Sequence, residues 1–275
     1  MKQPRINRLP PLVNWRQLLP TLITLAAMLS GFLSILTTFW GMYQERPELY
    51  SRAAQLIMLA MILDGLDGNL ARLIKGCSAF GAELDTYVDL TAFGIAPAIL
   101  IFAVTFQSKA EPNWRVLLLP SAVALSGVVR LARFKVRDPL RGQAGYAGLP
   151  ITANAAWVAL FVFISLSPHQ ERFSLQHGPV ALLFLLGVMI FIILQVTNVR
   201  YPKPTKNVSL FLLCILLVAL LWFPHRQVGT TVALVMMILG IAYVVVGPLV
   251  MKKYLKYKAK RELAAIRTDT HEHGT

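Results

Sequence analysis

The chain has 275 residues, 56% of them hydrophobic, and a mean hydropathy of +0.59, which excludes an ordinary soluble globular protein and makes it an integral membrane protein. Lysine and arginine outnumber aspartate and glutamate by 27 to 13, for a formal net charge of +14, but the basic residues lie between hydrophobic stretches rather than along a soluble amphipathic face. That placement excludes nucleic acid as the partner of the charge and favours membrane lipid, anionic lipid in particular.

Residues 1–19 mix Lys2, Arg5, Arg8 and Arg16 with Ile6, Leu9, Leu12, Val13, Trp15, Leu18 and Leu19, interrupted by Pro10 and Pro11. They read as a basic amphipathic segment lying in the interface before the first span. No small-residue cleavage site follows the charges, so no removable signal peptide is read there. Eight apolar stretches come next, at about 20–43, 53–75, 82–107, 114–134, 150–167, 178–198, 207–224 and 228–251. Each is near the 17–25 residues of a spanning helix. The expected fold class is therefore all-α integral membrane, with about eight transmembrane helices in one domain over residues 20–251 and a basic cytoplasmic tail over 252–275. Cys77 and Cys214 fall in or beside spans and give no disulfide framework.

Charge placement sets the orientation. With both tails and the even-numbered connections on one side, that side holds 21 of the 27 basic residues; the other holds Arg46, Arg52, Lys109, Arg115, Arg172 and Arg226. The bias predicts both termini in the cytoplasm.

Against this background residues 64–89 stand out, because Asp64, Asp67, Glu83, Asp85 and Asp89 all fall inside apolar spans. An aspartate at a bilayer centre costs about 2.5–3.5 kcal/mol, so four without compensation would cost on the order of 10–14 kcal/mol. At about 100° per residue, Asp64, Asp67, Gly68, Ala71 and Arg72 share one face of span two, and Asp85 and Asp89 share a face of span three. A short link, Gly76 to Gly81, returns the second helix antiparallel to the first, so the four carboxylates are expected to converge. Oxygen-only ligands suit a hard cation such as Mg²⁺, Mn²⁺ or Ca²⁺. Glu83, two positions from Asp85, points elsewhere and is given no metal role. The competing reading is a hydrogen-bonded intramembrane network, as in a cation or proton transporter.

Arg72 reads either as a snorkelling or aspartate-pairing side chain or as a planar clamp for a diphosphate. Gly68, Ala71 and Gly81 suit close helix packing and equally the approach of a nucleotide to the backbone. Arg130 and Arg133 share a face at the cytoplasmic end of span four, either as positive-inside anchors or as a site for a substrate carboxylate or lipid-linked phosphate.

Taken together, Asp64-x-x-Asp67-Gly68-x-x-Ala71-Arg72, eight residues, then Gly81-x-x-x-Asp85-x-x-x-Asp89, resembles the signature of the CDP-alcohol phosphotransferases at every fixed position. Within that family it looks most like the phosphatidylserine synthase branch. The further likeness runs through Gly65, Ser78 to Asp85, Phe93 to Ala98, Arg130-Leu131-Ala132-Arg133-Phe134 and Gly148-Leu149-Pro150, and the span count is similar too. Thr21 and Lys135 stand where the branch commonly has asparagine.

The resemblance implies a CDP-alcohol phosphotransferase fold and transfer from CDP-diacylglycerol or a related CDP-lipid to L-serine, giving phosphatidylserine and CMP. Choline, glycerol phosphate or an inositol phosphate remain alternative acceptors. It also implies Asp64, Asp67 and Asp85 as the main ligands of one or two Mg²⁺ or Mn²⁺ ions, with Asp89 near the metal as general base. Gly68, Ala71, Arg72 and Gly81 would bind CDP, and the oligomer would be a homodimer.

Overall fold

A computed structural model describes residues 15–105, 114–137, 145–166, 175, 178–202, 208–222 and 226–272. The first helix, α1, runs Trp15–Tyr43 and so begins inside the segment expected to lie in the interface; residues 1–14 of that segment fall outside the described residues. The helix continues through Pro20, which has no N–H to give the carbonyl of Arg16. Gly76 packs against that carbonyl, and a Cβ at position 76 would overlap it.

One face of α1 carries Thr24, Ala27, Ser30, Gly31, Ser34, Thr38 and Gly41, all buried, while Leu22, Leu25, Leu29, Phe32, Leu36 and Phe39 stay exposed for lipid. Small residues let backbones approach closely where water offers no hydrophobic drive between helices. The close partner is α2, Glu48–Leu73: Ser30 Oγ donates to the Leu56 carbonyl and Ser34 Oγ to the Ala53 carbonyl, each at 2.8 Å.

Two backbone bonds close α2, from Gly76 N–H to the Ala71 carbonyl and from Lys75 N–H to the Arg72 carbonyl, with Lys75 at φ 54° in the left-handed region. Ser78 then caps α3, Ala79–Val88, its Oγ accepting from the Gly81 N–H at 3.0 Å. The chain continues without a break through a π-helical stretch, Asp89–Ile95, into α4, Ala96–Thr105. A π turn holds more residues than an α turn. The stretch thus turns the apolar face of α4 relative to that of α3, so Asp85 of the first half reaches the aspartates of α2 while Ala96, Leu100 and Ile101 of the second are buried in the bundle.

The remaining helices are α5, Arg115–Arg137; α6, Ile151–Ser165; α7, Gly178–Val196; α8, Val208–Leu220; and α9, Arg226–Glu272. A two-stranded antiparallel ladder pairs β1, Gly145–Ala147, with β2, Arg200–Pro202, and the Tyr243 hydroxyl of α9 holds it by donating to the Pro202 carbonyl at 2.8 Å. Counting α3, the π stretch and α4 as one, eight helical units are present among the described residues, in an all-α membrane architecture. Five are long and apolar enough to cross a membrane; α6 and α8 are shorter than the expected spans, and α2 is long enough but carries the acidic residues. The shortness of α6 has a packing reason. From Asn154 to Ile164 nearly every residue is buried, so this apolar-all-round helix is enclosed by protein. Helix α9 is long, 47 residues or about 70 Å, and little of its apolar part is fully buried.

Gly31 tests the close approach on which this packing rests, since a Cβ there would lie 2.5 Å from the Ala92 Cβ, whereas nothing lies within 4 Å of one at Gly240. Gly31→Ala is expected to lower stability by about 1–3 kcal/mol. Gly240→Ala, in an exposed helix face, is expected to be neutral or stabilising by up to about 1 kcal/mol. Thermal unfolding of the two variants in detergent checks the contrast.

Candidate active site

Two helices supply the acidic side chains, and the turn between them fixes how they meet. Asp64 and Asp67 come from α2 and Asp85 from α3, and each offers a carboxylate oxygen within 4.8 Å of the other two. Burial is graded across the group: Asp67 is 4% exposed, Asp64 half-buried and Asp85 open to the outside. Asp64 and Asp85 lie within hydrogen-bonding reach of each other. Two carboxylates meet in that way only with a proton or a cation between them.

Buried oxygens of this group also lack partners. Asp64 Oδ1 and Asp67 Oδ2 are buried and accept no hydrogen bond among the described residues. Leaving a buried charged acceptor unmatched costs at least about 1–3 kcal/mol. A hard divalent cation matches this arrangement: it takes three oxygen donors, carries a charge opposite to theirs, and can satisfy buried oxygens that lack a hydrogen-bond partner. The aspartate triad could therefore hold a metal ion.

Asp89 opens the π stretch one turn beyond Asp85 and is not one of the three mutually close ligands, although its charge interacts with those of Asp64, Asp85 and Asp67. The Arg130 guanidinium, buried on α5, also interacts electrostatically with Asp89, and its Nε donates to the Leu149 carbonyl at 2.7 Å. Arg133, one turn on, is used differently. Its guanidinium donates to the carbonyls of Val196, Thr197 (2.8 Å) and Ala147 (3.4 Å), joining the end of α7 to β1. From one face of α5, the long side chains of Arg130 and Arg133 thus reach different carbonyls.

On α2, Arg72 Nη2 donates to Asn69 Oδ1 at 2.8 Å, and the space above Gly68 is bounded by the Arg72 guanidinium. Gly81 sits in the first turn of α3, where a Cβ would lie 3.1 Å from the capping Ser78 Oγ. Ala71 contributes its carbonyl to the α2 terminus. Glu83 pairs with Lys135 Nζ at 2.6 Å, an exposed bridge from α3 to the end of α5 that accounts for both residues without the metal.

Sequence reasoning missed Thr24 and Asn69. The Thr24 hydroxyl of α1 stands beside the Asp67 carboxylate while donating to the Pro20 carbonyl at 2.9 Å. Its signal was available in the small-residue stripe of α1, which carries a hydroxyl at this position. Asn69 sits three residues before Arg72, an orienting partner at helical spacing.

A model of the CDP-alcohol phosphatidyltransferase family matches residues 17–194. Curated relatives include CDP-diacylglycerol–serine O-phosphatidyltransferases. The chain is 30% identical over 213 residues to that of Helicobacter pylori, covering 76% of this chain and 84% of the relative. It is 31% identical over 206 residues to that of Methanocaldococcus jannaschii, covering 74% and 83%. Identity to the Saccharomyces cerevisiae protein is 34% over 179 residues, covering 59% and 63%.

The orphaned oxygens give a stability test that needs no substrate. Adding Mn²⁺ at about 100 times its dissociation constant should stabilise the wild type by about 2.7 kcal/mol. Asp67→Asn should be at least as stable as the wild type in chelator and lose most of the Mn²⁺-induced rise in melting temperature. A variant several kcal/mol less stable in chelator would mean that Asp67 is held by internal hydrogen bonds instead.

Proposed function

Because the chain belongs to the CDP-alcohol phosphatidyltransferase family, we propose that it transfers the phosphatidyl group of CDP-diacylglycerol, or a related CDP-lipid, to L-serine, giving phosphatidylserine and CMP. The observation that carries the chemistry is the meeting of Asp64, Asp67 and Asp85 with orphaned oxygens beside Asp89. Relatives named as serine transferases, matched over three quarters of the chain, carry the acceptor.

In this reading Asp64, Asp67 and Asp85 hold one or two Mg²⁺ or Mn²⁺ ions, with Asp89 at the edge of the set. A cation held there would supply positive charge against the diphosphate and CMP. Gly68 and Gly81 leave room for the nucleotide, and Ala71 lies on the same α2 face. Arg72, its fork oriented by Asn69, clamps the diphosphate. Asp89 takes the proton of the serine hydroxyl as the oxygen–phosphorus bond forms and the bond from that phosphorus to the CMP oxygen breaks. Arg130, which interacts electrostatically with Asp89, faces the anionic part of the acceptor or lipid. Arg133 braces the wall behind it.

Acyl chains stay in lipid along the exposed faces of the bundle while the head group reaches the aspartates. The site then faces the cytoplasm, with both termini on that side. The distribution of basic residues supports this: Arg16, Arg72, Lys75, Lys135 and Arg200 are linked to one end of the bundle by the Arg16–Gly76 contact, the Glu83–Lys135 bridge and the β1–β2 ladder. A homodimer belongs to the same proposal.

CMP release by purified protein from CDP-diacylglycerol with Mn²⁺ is expected to require L-serine and to stop in chelator. Release with another alcohol alone would overturn the acceptor, and turnover in chelator would overturn the metal. Asp89→Asn is expected to keep CDP-lipid binding within a few-fold while lowering kcat by about 10²–10⁴. Unchanged turnover would assign the proton to another base.

A further inference from the structure

Beyond the aspartates, the described residues hold a second set of polar atoms that packing leaves unmatched. Gln195, the one amide in the otherwise apolar α7, is 0% exposed. Its Oε1 lies 3.0 Å from Ser126 Oγ of α5, while its Nε2 is buried with no partner. Asn154, in the first turn of α6, is 1% exposed, and its Oδ1 is likewise buried and unpartnered. Trp157 Nε1, one turn along α6 from Asn154, is a third buried atom without a partner, so the set holds two donors and one acceptor.

Helix register brings Asn154 and Gln195 level. Helices α6 and α7 run antiparallel, with Leu149 N–H bonded to the Leu194 carbonyl at 3.0 Å and the rings of Trp157 and Phe191 stacked at 5.2 Å. From that stacked pair, three residues back along α6 is about 4.5 Å and four residues forward along α7 about 6 Å, so Asn154 and Gln195 reach the same height. Both steps stay within about 60° of the contact face.

The pair is also continuous with the candidate active site. Ser126 and Arg130 are one turn apart on α5, and Arg130 interacts with Asp89. Gly127, beside Ser126, packs against Ile151, the first residue of α6, and the would-be Cβ of Gly127 lies 3.7 Å from Gly94 Cα in the π stretch that Asp89 opens. The walls of α5, α6 and α7 around these groups therefore lead to the carboxylate assigned as base.

We propose that Asn154 and Gln195 read the amino-acid part of the acceptor, Asn154 Oδ1 accepting from its ammonium and Gln195 Nε2 donating to its carboxylate. This rests on the serine-transfer reading above and adds to it the residues that choose an amino acid over other alcohols. A zwitterion carries no net charge, so two neutral amides suit it without placing an unpaired charge between these helices. Arg130 supplies the second donor to the carboxylate, and the hydroxyl, one carbon away, turns toward Asp89. A site built to hydrogen-bond a group rejects analogues that lack it, because its own polar atoms are then left unpaired.

The test uses full-length protein, CDP-diacylglycerol, Mn²⁺ and three acceptors: L-serine, ethanolamine, which lacks the carboxylate, and 3-hydroxypropanoate, which lacks the ammonium. Asn154→Leu and Gln195→Met should each raise the serine KM at least ten-fold, with the KM for CDP-diacylglycerol and the Mn²⁺-induced rise in melting temperature within two-fold of wild type. Asn154→Leu should lose discrimination against 3-hydroxypropanoate and Gln195→Met against ethanolamine. Asn154→Asp, which keeps the acceptor oxygen, should restore the serine KM. Gln195→Glu, which keeps the length but replaces the donor, should not, and it serves where Gln195→Met fails to fold. An unchanged serine KM in these variants, or equal losses with every acceptor and for both substrates, overturns the proposal and makes the pair internal packing. A wild type that uses another alcohol and not serine overturns the acceptor reading and this inference together.

Discussion

Three carboxylates within 4.8 Å of one another, inside a bundle whose outer surface is built for lipid, are the constraint on which the rest of the structure depends. At that separation, with an effective dielectric near 20, each pair of like charges repels by about 3 kcal/mol. A protein of ordinary stability holds such a group only when the framework around it is stiff and a proton or a cation relieves the repulsion. The framework is visible in the close packing of α1 on α2, in the left-handed Lys75 and the Ser78 cap that reverse the chain within a few residues, and in the Arg16 carbonyl lying against Gly76. Each of these fixes α3 against α2, and so fixes Asp85 against Asp64 and Asp67.

The same demand explains the π stretch. Asp85 and Asp89 must face the polar centre while the following two turns, without a break in the helix, must bury Ala96, Leu100 and Ile101 against apolar neighbours. An unbroken α-helix would carry one phase through both tasks. The wider turn at Asp89–Ile95 gives each half its own face, and π insertions often occur at functional sites for such reasons.

Much of the site was legible in the sequence because charge inside an apolar span is costly and therefore informative. Asp64, Asp67 and Asp85 could be assigned to converging faces from helical angles and a short link alone. The helical units were legible too, from the lengths of the apolar runs. What stayed hidden was whatever depends on packing rather than pattern. Residues 89–95 read as ordinary helix, because nothing in an apolar run marks a π turn. The divergence of Arg130 and Arg133 was equally hidden, since same-face spacing says nothing of where two long side chains end. The enclosure of α6 cannot be read from a helix that is apolar all round. Thr24, Asn154 and Gln195 were passed over as single polar residues in spans, and their meaning came from which of their atoms have partners.

Crystals of the protein soaked with Mn²⁺ and CDP, measured at the manganese absorption edge, test the central claim most directly. Anomalous density within bonding distance of Asp64, Asp67 and Asp85 together, with the diphosphate completing the coordination, is the expected result. Ordered CDP with no anomalous density at the triad, or manganese bound elsewhere, would contradict a cation as what holds these carboxylates together.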